Sequence, residues 1–352
     1  MSRETIALIE FGNSHDEVLY PQYLFLKRQG YEVLLVVSEE LKKRLFSYPE
    51  NELLYFPRKA RLRDYRLLHT ELRKRGIEKV VLNTASGKKV RNFVWLNSRI
   101  DYFGVLHNLR RLENSNTQKL ISLRLKHYFF LADYLKDKAL KLNSRLQFAS
   151  FKAAFLPKDL TVLDLEKKEQ TWIVIPGQVE YKRRDYISLI ESLQEKPPEN
   201  LLFILLGKSK HVFGDGADLE QRIKEAGLEM YFKLWDGFVS NAEFYGYLQK
   251  ADLVLPLIHP NHASGKLYEN QISGAWNMAN SYQIPLLMEK MWSDFGEFQD
   301  SAFFYDAQNM SALWDQLPEI ISRSYYHKED WQITFQSRLY CEFLGLETEF
   351  NN

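Results

Sequence analysis

The chain is poor in the features that mark secreted, membrane-spanning and dinucleotide-binding proteins. Its 352 residues include one cysteine, Cys341, so no intramolecular disulfide can form and nothing points to an oxidising compartment. No apolar stretch approaches the roughly 18 residues that span a bilayer. The opening apolar run from Thr5 to Ile9 is too short for a signal-peptide core and leads into polar residues, so it reads as a buried first strand. There is no Gly-x-Gly-x-x-Gly after a strand with an acidic residue about 20 positions on, which argues against a nicotinamide dehydrogenase. The triplet Gly207-Lys208-Ser209 is not a phosphate-binding P-loop, because Leu202 stands where the earlier glycine belongs. Eight dispersed histidines and a single cysteine leave no Cys/His metal site. A soluble, cytoplasmic protein without cofactor or metal is expected.

What is present is a globular composition, 45% hydrophobic and 26% charged, in a chain long enough for two ordinary domains. The net charge of +1 conceals an asymmetry. Residues 1–160 hold 30 Lys+Arg against 17 Asp+Glu, a net +13, and the remainder is 17 against 29, a net −12. A basic half joined to an acidic half suggests that the first half faces an anionic partner: a membrane surface, a phosphorylated acceptor or nucleic acid.

The first half alternates strand-like and helix-like segments. Strands are expected at 5–11, 32–37, 53–56, 79–83, 104–107 and 148–156, and helices at 19–29 and 63–75, stopped by Gly30 and Gly76. A long helix is expected near 122–142. Residues 158–170 are polar and read as a linker. The rhythm then restarts, with strands at 172–176, 201–206, 232–235, 253–256 and 285–288. Helices at 185–194, 218–226, 241–249 and 273–282 alternate with them. Alternation of this kind, with strands apolar on both faces, predicts parallel sheets covered by helices. The expected class is α/β, two Rossmann-like doubly wound domains facing a central cleft. They span 1–157 (acceptor side) and 171–325 (donor side), with a helical tail, 326–352, that packs back on the first. Ligands of such sheets bind beyond the carboxyl ends of the strands.

The second domain opens with Trp-Ile-Val-Ile-Pro-Gly-Gln-Val-Glu-Tyr-Lys-Arg-Arg-Asp, in which a strand ends at Gly177 and a basic turn precedes a helix N-capped by Asp185. Further on, Ser264-Gly-Lys-Leu-Tyr-Glu-Asn-Gln-Ile-Ser-Gly-Ala-Trp-Asn leads through a helix to Ile284-Pro285-Leu286-Leu287. In order and register these stretches resemble the donor half of GT-B glycosyltransferases, of the nucleotide-sugar-dependent kind that builds bacterial glycans and lipopolysaccharide. The resemblance implies that Gly177, Lys182 and Arg183 contact the donor diphosphate. It also implies that Ser273 and Gly274 form an anion-binding helix start and that Glu269 meets the ribose. Gly237, Phe238 and Val239, in the loop after the 232–235 strand, are implied to contact the base. Many retaining members carry two glutamates seven residues apart, whereas here Asn277 stands in the second position, so inversion and retention both stay open. No Asp-x-Asp pair stands in a strand-end loop, which favours transfer without a metal.

In the first domain, His15, Asp16 and Glu17 follow the first strand and form a compact acid/base set. A sugar hydroxyl must lose its proton to attack an anomeric carbon, and Asp16, then Glu17, then His15 is the expected order of preference for that base. Asp16 would equally serve as a helix cap. His107 and Asn108 form a second polar pair at a strand end. The implied partners are a nucleotide-sugar donor, a glycan or glycolipid acceptor and an anionic membrane surface. A cytoplasmic location follows, including the inner face of a membrane, and no nucleic acid is expected. The alternative is a non-catalytic binding module that docks nucleic acid or protein through its basic half, using Arg110, Arg111 and the 58–63 cluster.

Overall fold

A computed structural model describes residues 4–42, 45, 48–97, 99–157, 162–209, 215–237 and 239–348. It divides into two compact units, Met1–Pro157 with Glu329–Asn352, and Lys158–Lys328.

The first unit runs β1 (Thr5–Glu10), α1 (Leu19–Arg28), β2 (Glu32–Ser38), β3 (Leu53–Phe56), α2 (Leu62–Lys74), β4 (Lys79–Leu82) and α3 (Gly87–Val94). It continues through β5 (Asp101–Val105), α4 (Arg110–Asn114), α5 (Asn116–Ser122), β6 (His127–Phe130), α6 (Asp133–Leu142) and β7 (Gln147–Ser150). Among the described residues the strands form one seven-stranded parallel sheet in the order β3-β2-β1-β4-β5-β6-β7. The strand order reverses at β1, which lies between β2 and β4, and this is the point where doubly wound sheets open a crevice. Ile6 to Ile9 are buried, as befits a strand covered on both faces.

The helix stops at Gly30 and Gly76 stand in the left-handed region, φ 77° and 66°, where the amide two positions on from each helix end bonds back into its last turn. The long helix expected near 122–142 is broken into α5, β6 and α6. The aromatic tetrapeptide His-Tyr-Phe-Phe pairs in register with both β5 and β7, and that pairing outweighs local helical preference.

The second unit runs β8 (Thr171–Pro176), α7 (Tyr186–Glu195), β9 (Leu201–Leu206), α8 (Asp215–Glu225), β10 (Phe232–Lys233) and α9 (Asn241–Lys250). After these come β11 (Leu253–Val254), α10 (Ala263–Tyr268), α11 (Gly274–Tyr282), β12 (Leu286–Glu289), β13 (Ala302–Tyr305) and α12 (Leu313–Ser322). Its six described strands are all parallel, in the order β10-β9-β8-β11-β12-β13, with the reversal at β8. Strand β13 has no counterpart in the sequence reading.

The last helix, α13 (Ile333–Phe343), belongs to the first unit and packs on α1. Tyr340 stacks on Phe129 at 4.7 Å between centroids and donates its hydroxyl to Gln22 Oε1 at 3.0 Å. Arg28 and Tyr31 reach Thr334 Oγ1 and the Glu347 carbonyl. No described helix is long and apolar enough to cross a membrane.

Candidate active site

The carboxyl end of β1 carries a buried polar cluster. Glu10, the last residue of the strand, is 1% exposed. One of its carboxylate oxygens accepts the Gly12 amide at 2.6 Å. The other accepts Asn83 Nδ2 at 2.8 Å and the Thr84 hydroxyl at 2.5 Å. Burial raises the Glu10 pKa, and these hydrogen bonds oppose the rise only in part. Asn83 is fully buried and joins three segments. It donates to Glu10 and to the His15 carbonyl, and its Oδ1 accepts Gln22 Nε2 at 2.7 Å.

His15 sits at φ 66°, a left-handed conformation unusual for a side chain with a Cβ, and the Asn83 bond to its carbonyl helps to hold it there. Its ring stacks on His107 and lies 3.6 Å from Glu17 Oε1. His107 Nε2 is 2.7 Å from the Asn83 carbonyl oxygen. Burial and the neighbouring His15 charge push the His107 pKa down to about 3, so its ring is neutral. Burial alone would depress His15 as well, but the hydrogen bond and charge of Glu17, with Glu10 and Asp16 behind it, raise its pKa. For Glu17 burial acts upward, and the His15 contact prevails and lowers it. The cluster thus holds one imidazole poised to carry charge, one held neutral, and two carboxyls shifted in opposite directions, Glu10 upward and Glu17 downward. A cavity of about 330 Å³ opens beside it, lined by Glu10, Asn13, Thr84, Ser86 and Lys89 among others.

Asp16 opens a single turn of 3-10 helix, Asp16–Val18, and the cap of α1 is Val18, with no side-chain hydrogen bond closing that helix. The capping role is therefore not what Asp16 performs for α1, because the extra turn moves the helix start past its reach. Asn108 Oδ1 accepts the Arg110 amide at 3.0 Å and so organises the turn into α4.

In the second unit, β8 ends at Gly177, whose φ of 104° is open to glycine alone. A Cβ on Gly207, at the end of β9, would stand 2.4 Å from the Gly177 carbonyl oxygen, so two glycines are what let these strand ends meet. The basic turn that follows sorts its three cations by burial. Lys182 is 72% exposed and 3.5 Å from Glu180, and Arg183 is 51% exposed and 2.6 Å from the same carboxylate. Arg184 turns inward and is 6% exposed. Its Nη1 donates to the Pro256 carbonyl at 2.8 Å and its Nη2 to the Pro176 carbonyl, so the guanidinium bridges the ends of β8 and β11 across the strand-order reversal. Among the described residues no carboxylate pairs with it, and its buried Nε has no partner.

The next residue, Asp185, caps α7 by accepting the Ser188 amide at 3.1 Å and also accepts the Ser188 hydroxyl at 2.7 Å. His259 Nδ1 lies 2.8 Å from the same carboxylate, and His259 Nε2 lies 2.8 Å from the Tyr305 hydroxyl at the end of β13. Burial acts to raise the Asp185 pKa, but the His259 and Ser188 bonds outweigh it and hold the carboxyl well below its usual range. Burial drives the Tyr305 hydroxyl far upward. Asp185, His259 and Tyr305 therefore tie the start of α7 to the loop after β11 and the end of β13 through side chains.

Of the other residues expected on the donor side, Ser273 caps α11 by accepting the Ala275 amide at 3.3 Å, and Gly274 has open space where a side chain would stand. Glu269 is half-buried at the end of α10. Gly237 is exposed and Val239 is buried, while Phe238 lies outside the described residues. Gly177 meets Arg184 directly, whereas Gly237 and Val239 stand on the β10 side of the sheet. Sequence reading passed over Glu10, Asn83, Arg184, His259 and Tyr305. The signal that could have found Glu10 and Asn83 is a polar residue closing an otherwise apolar strand.

No family model and no curated protein sequence matches this chain. Solved structures do match along the whole chain. A UDP-N-acetylglucosamine 2-epimerase aligns with TM-score 0.60 at 14% identity, covering 100% of both chains. A glycosyltransferase from Rickettsia africae ESF-5 aligns with TM-score 0.59 at 12% identity, over 98% of this chain and 95% of the other. Anabaena HepE, in complex with UDP and glucose, aligns with TM-score 0.58 at 14% identity, over 97% and 94%. At such identities the likeness establishes the fold: two Rossmann-like units of the GT-B type.

Proposed function

We propose that this chain is a glycosyltransferase that moves a hexose or deoxyhexose from a nucleoside-diphosphate sugar to a hydroxyl of a glycan or glycolipid. The observation that carries the reading is Arg184, a guanidinium buried without a carboxylate at the strand-order reversal of the second sheet. A buried cation is costly unless an anion compensates it. A diphosphate beside Gly177 would supply that charge, with Lys182 and Arg183 released from Glu180 to meet it. Nucleotide-sugar chemistry stands in the names of two similar structures, one a complex with UDP and glucose and the other a UDP-N-acetylglucosamine 2-epimerase. In the first unit, the cluster of Glu10, His15, Asp16 and Glu17 supplies groups able to take a hydroxyl proton. The transfer needs no metal on this reading, and its acceptor side faces anionic surroundings at the inner face of a membrane.

The test is a thermal-shift screen against UDP, GDP, ADP, CMP and dTDP. A nucleotide at about 100 times its dissociation constant adds roughly 2.7 kcal/mol of stability. One diphosphate should raise the melting temperature clearly above the others, and no shift with any of them would remove the reading. The full-length likeness to an epimerase favours one competing activity, inversion of the sugar while it remains on UDP. Product analysis separates the two, since transfer releases free nucleoside diphosphate and epimerisation does not.

A further inference from the structure

The first unit's positive charge is concentrated in one stretch. Residues 58–145 contain 22 Lys+Arg and 7 Asp+Glu, a net +15, which exceeds the +13 of residues 1–160. This stretch supplies α2, α3 and α5. Each belongs to a rightward step along the sheet, β3 to β4, β4 to β5 and β5 to β6. Right-handed crossovers in the same direction place their helices on the same face, and α3 indeed contacts both α2 and α5.

The outer side of that helix layer is both cationic and apolar. On α2, Tyr65, Leu68, His69 and Leu72 point into the core, and the opposite stripe carries Arg63, Arg66, Leu67, Arg73 and Lys74. Leu62 and Leu67 are 50% and 55% exposed. Trp95, which ends α3, is 44% exposed and donates its indole N–H to the Leu120 carbonyl at 3.3 Å, with the Arg124 guanidinium 5.0 Å over its ring. Leu120 of α5 and Leu123, the residue that follows that helix, are 43% and 58% exposed. The two acids of α2 are occupied within the helix, Asp64 by the Arg61 amide and Glu71 by Arg75. Among the described residues, Arg63, Arg66, Arg73 and Lys74 enter no ion pair.

We propose that this α2–α3–α5 face is a docking surface for an anionic lipid bilayer. Isolated exposed leucines are ordinary, but leucines and a tryptophan interleaved with unpaired arginines over adjoining helices match an interfacial layer. Nucleic acid would satisfy the cations and leave Leu62, Leu67 and Leu123 in water. The inference extends the proposed function, since a glycolipid acceptor would be met at such a surface, yet it can be tested without any sugar.

Flotation with vesicles of phosphatidylglycerol, set against phosphatidylcholine, reads it directly. Each cation near an anionic surface contributes about fivefold to partitioning. The variant R63Q/R66Q/R73Q/K74Q should therefore bind phosphatidylglycerol vesicles at least about a hundredfold more weakly. The variant L67S/L123S should keep low-salt binding and lose what remains at high salt. All six positions are exposed, so melting temperatures should match wild type and exclude misfolding. Equal binding to both vesicle types, unchanged flotation of the fourfold variant, or displacement from vesicles by duplex RNA at low concentration overturns the proposal. Nucleotide thermal shifts on the same samples report on the transferase reading separately, so either idea can fail alone.

Discussion

The imidazole ring of His15 lies face to face with that of His107, centroids 3.7 Å apart and planes 8° from parallel. Two charged rings at that separation repel, so above the depressed His107 pKa the pair carries at most one positive charge, and its surroundings put that charge on His15. Glu17 stands beside His15, while His107 directs a nitrogen to the Asn83 carbonyl from a desolvated position.

This arrangement sets a stability profile against pH. His107, pushed down to about 3, contributes stability that is full above its ordinary value of 6.5 and is lost as pH falls from there toward about 3. His15 has a raised value, so its contribution is full below 6.5 and is lost as pH rises through the folded value. Glu17, lowered, adds stability above 4.5 that disappears on further acidification. The melting temperature should fall on both sides of mildly acidic pH. His107→Asn should flatten the acid limb and His15→Gln the alkaline limb. Unaltered limbs in both variants would show that the stack does not set the profile.

If the loop after β1 supplies the base, Asp16→Asn or Glu17→Gln should reduce turnover by about 10²–10⁴ while donor affinity holds. Glu10→Gln belongs in the same series, because Glu10 is the desolvated carboxyl of the cluster. Turnover, UDP affinity and melting temperature are measured together. Near wild-type turnover in Asp16→Asn, Glu17→Gln and His15→Ala alike removes this loop from the chemistry.

Lys182→Ala should weaken nucleoside-diphosphate binding about tenfold or more, through loss of a charge-assisted contact of roughly 1.5–3 kcal/mol. Affinity for the bare nucleoside should hardly change. Arg184→Lys should instead cost stability, about 1–3 kcal/mol, because an ammonium cannot span the Pro176 and Pro256 carbonyls as the guanidinium does. Calorimetric titration with UDP and uridine checks the first statement and thermal unfolding the second. Equal losses for UDP and uridine in Lys182→Ala would refute the phosphate contact.

Two glycine substitutions should behave oppositely. A methyl on Gly207 would collide with the Gly177 backbone at 2.4 Å, so Gly207→Ala should destabilise the fold by about 1–3 kcal/mol and abolish the UDP shift. Gly274→Ala meets nothing within 4 Å and should leave the melting temperature in place or raise it slightly. Thermal unfolding of both decides, and a neutral Gly207→Ala would show that the strand ends have room to separate.

Much of the architecture was legible in the residues because it depends on local periodicity. Strand β9 runs from Leu201 to Leu206 as expected, Asp185 caps α7, Ser273 caps α11, and Gly30 and Gly76 end their helices. Apolar runs, caps and stops act within a few residues, so one chain read alone suffices for them. Strand β6 was lost inside an expected helix, and β13 went unread, because each exists through pairing with strands distant in sequence. The candidate site divides in the same way. Composition and order place a basic turn after Gly177 and a polar turn after β1. Which of Lys182, Arg183 and Arg184 turns inward was decided only when β11 brought the Pro256 carbonyl alongside. Likewise, Glu10 owes its raised pKa to the burial of its strand end, which outweighs the opposing hydrogen bonds from Asn83 and Thr84, and His15 meets His107 across 92 residues of chain. Charge and polarity are written locally, whereas desolvation and neighbourhood are properties of the assembled sheet.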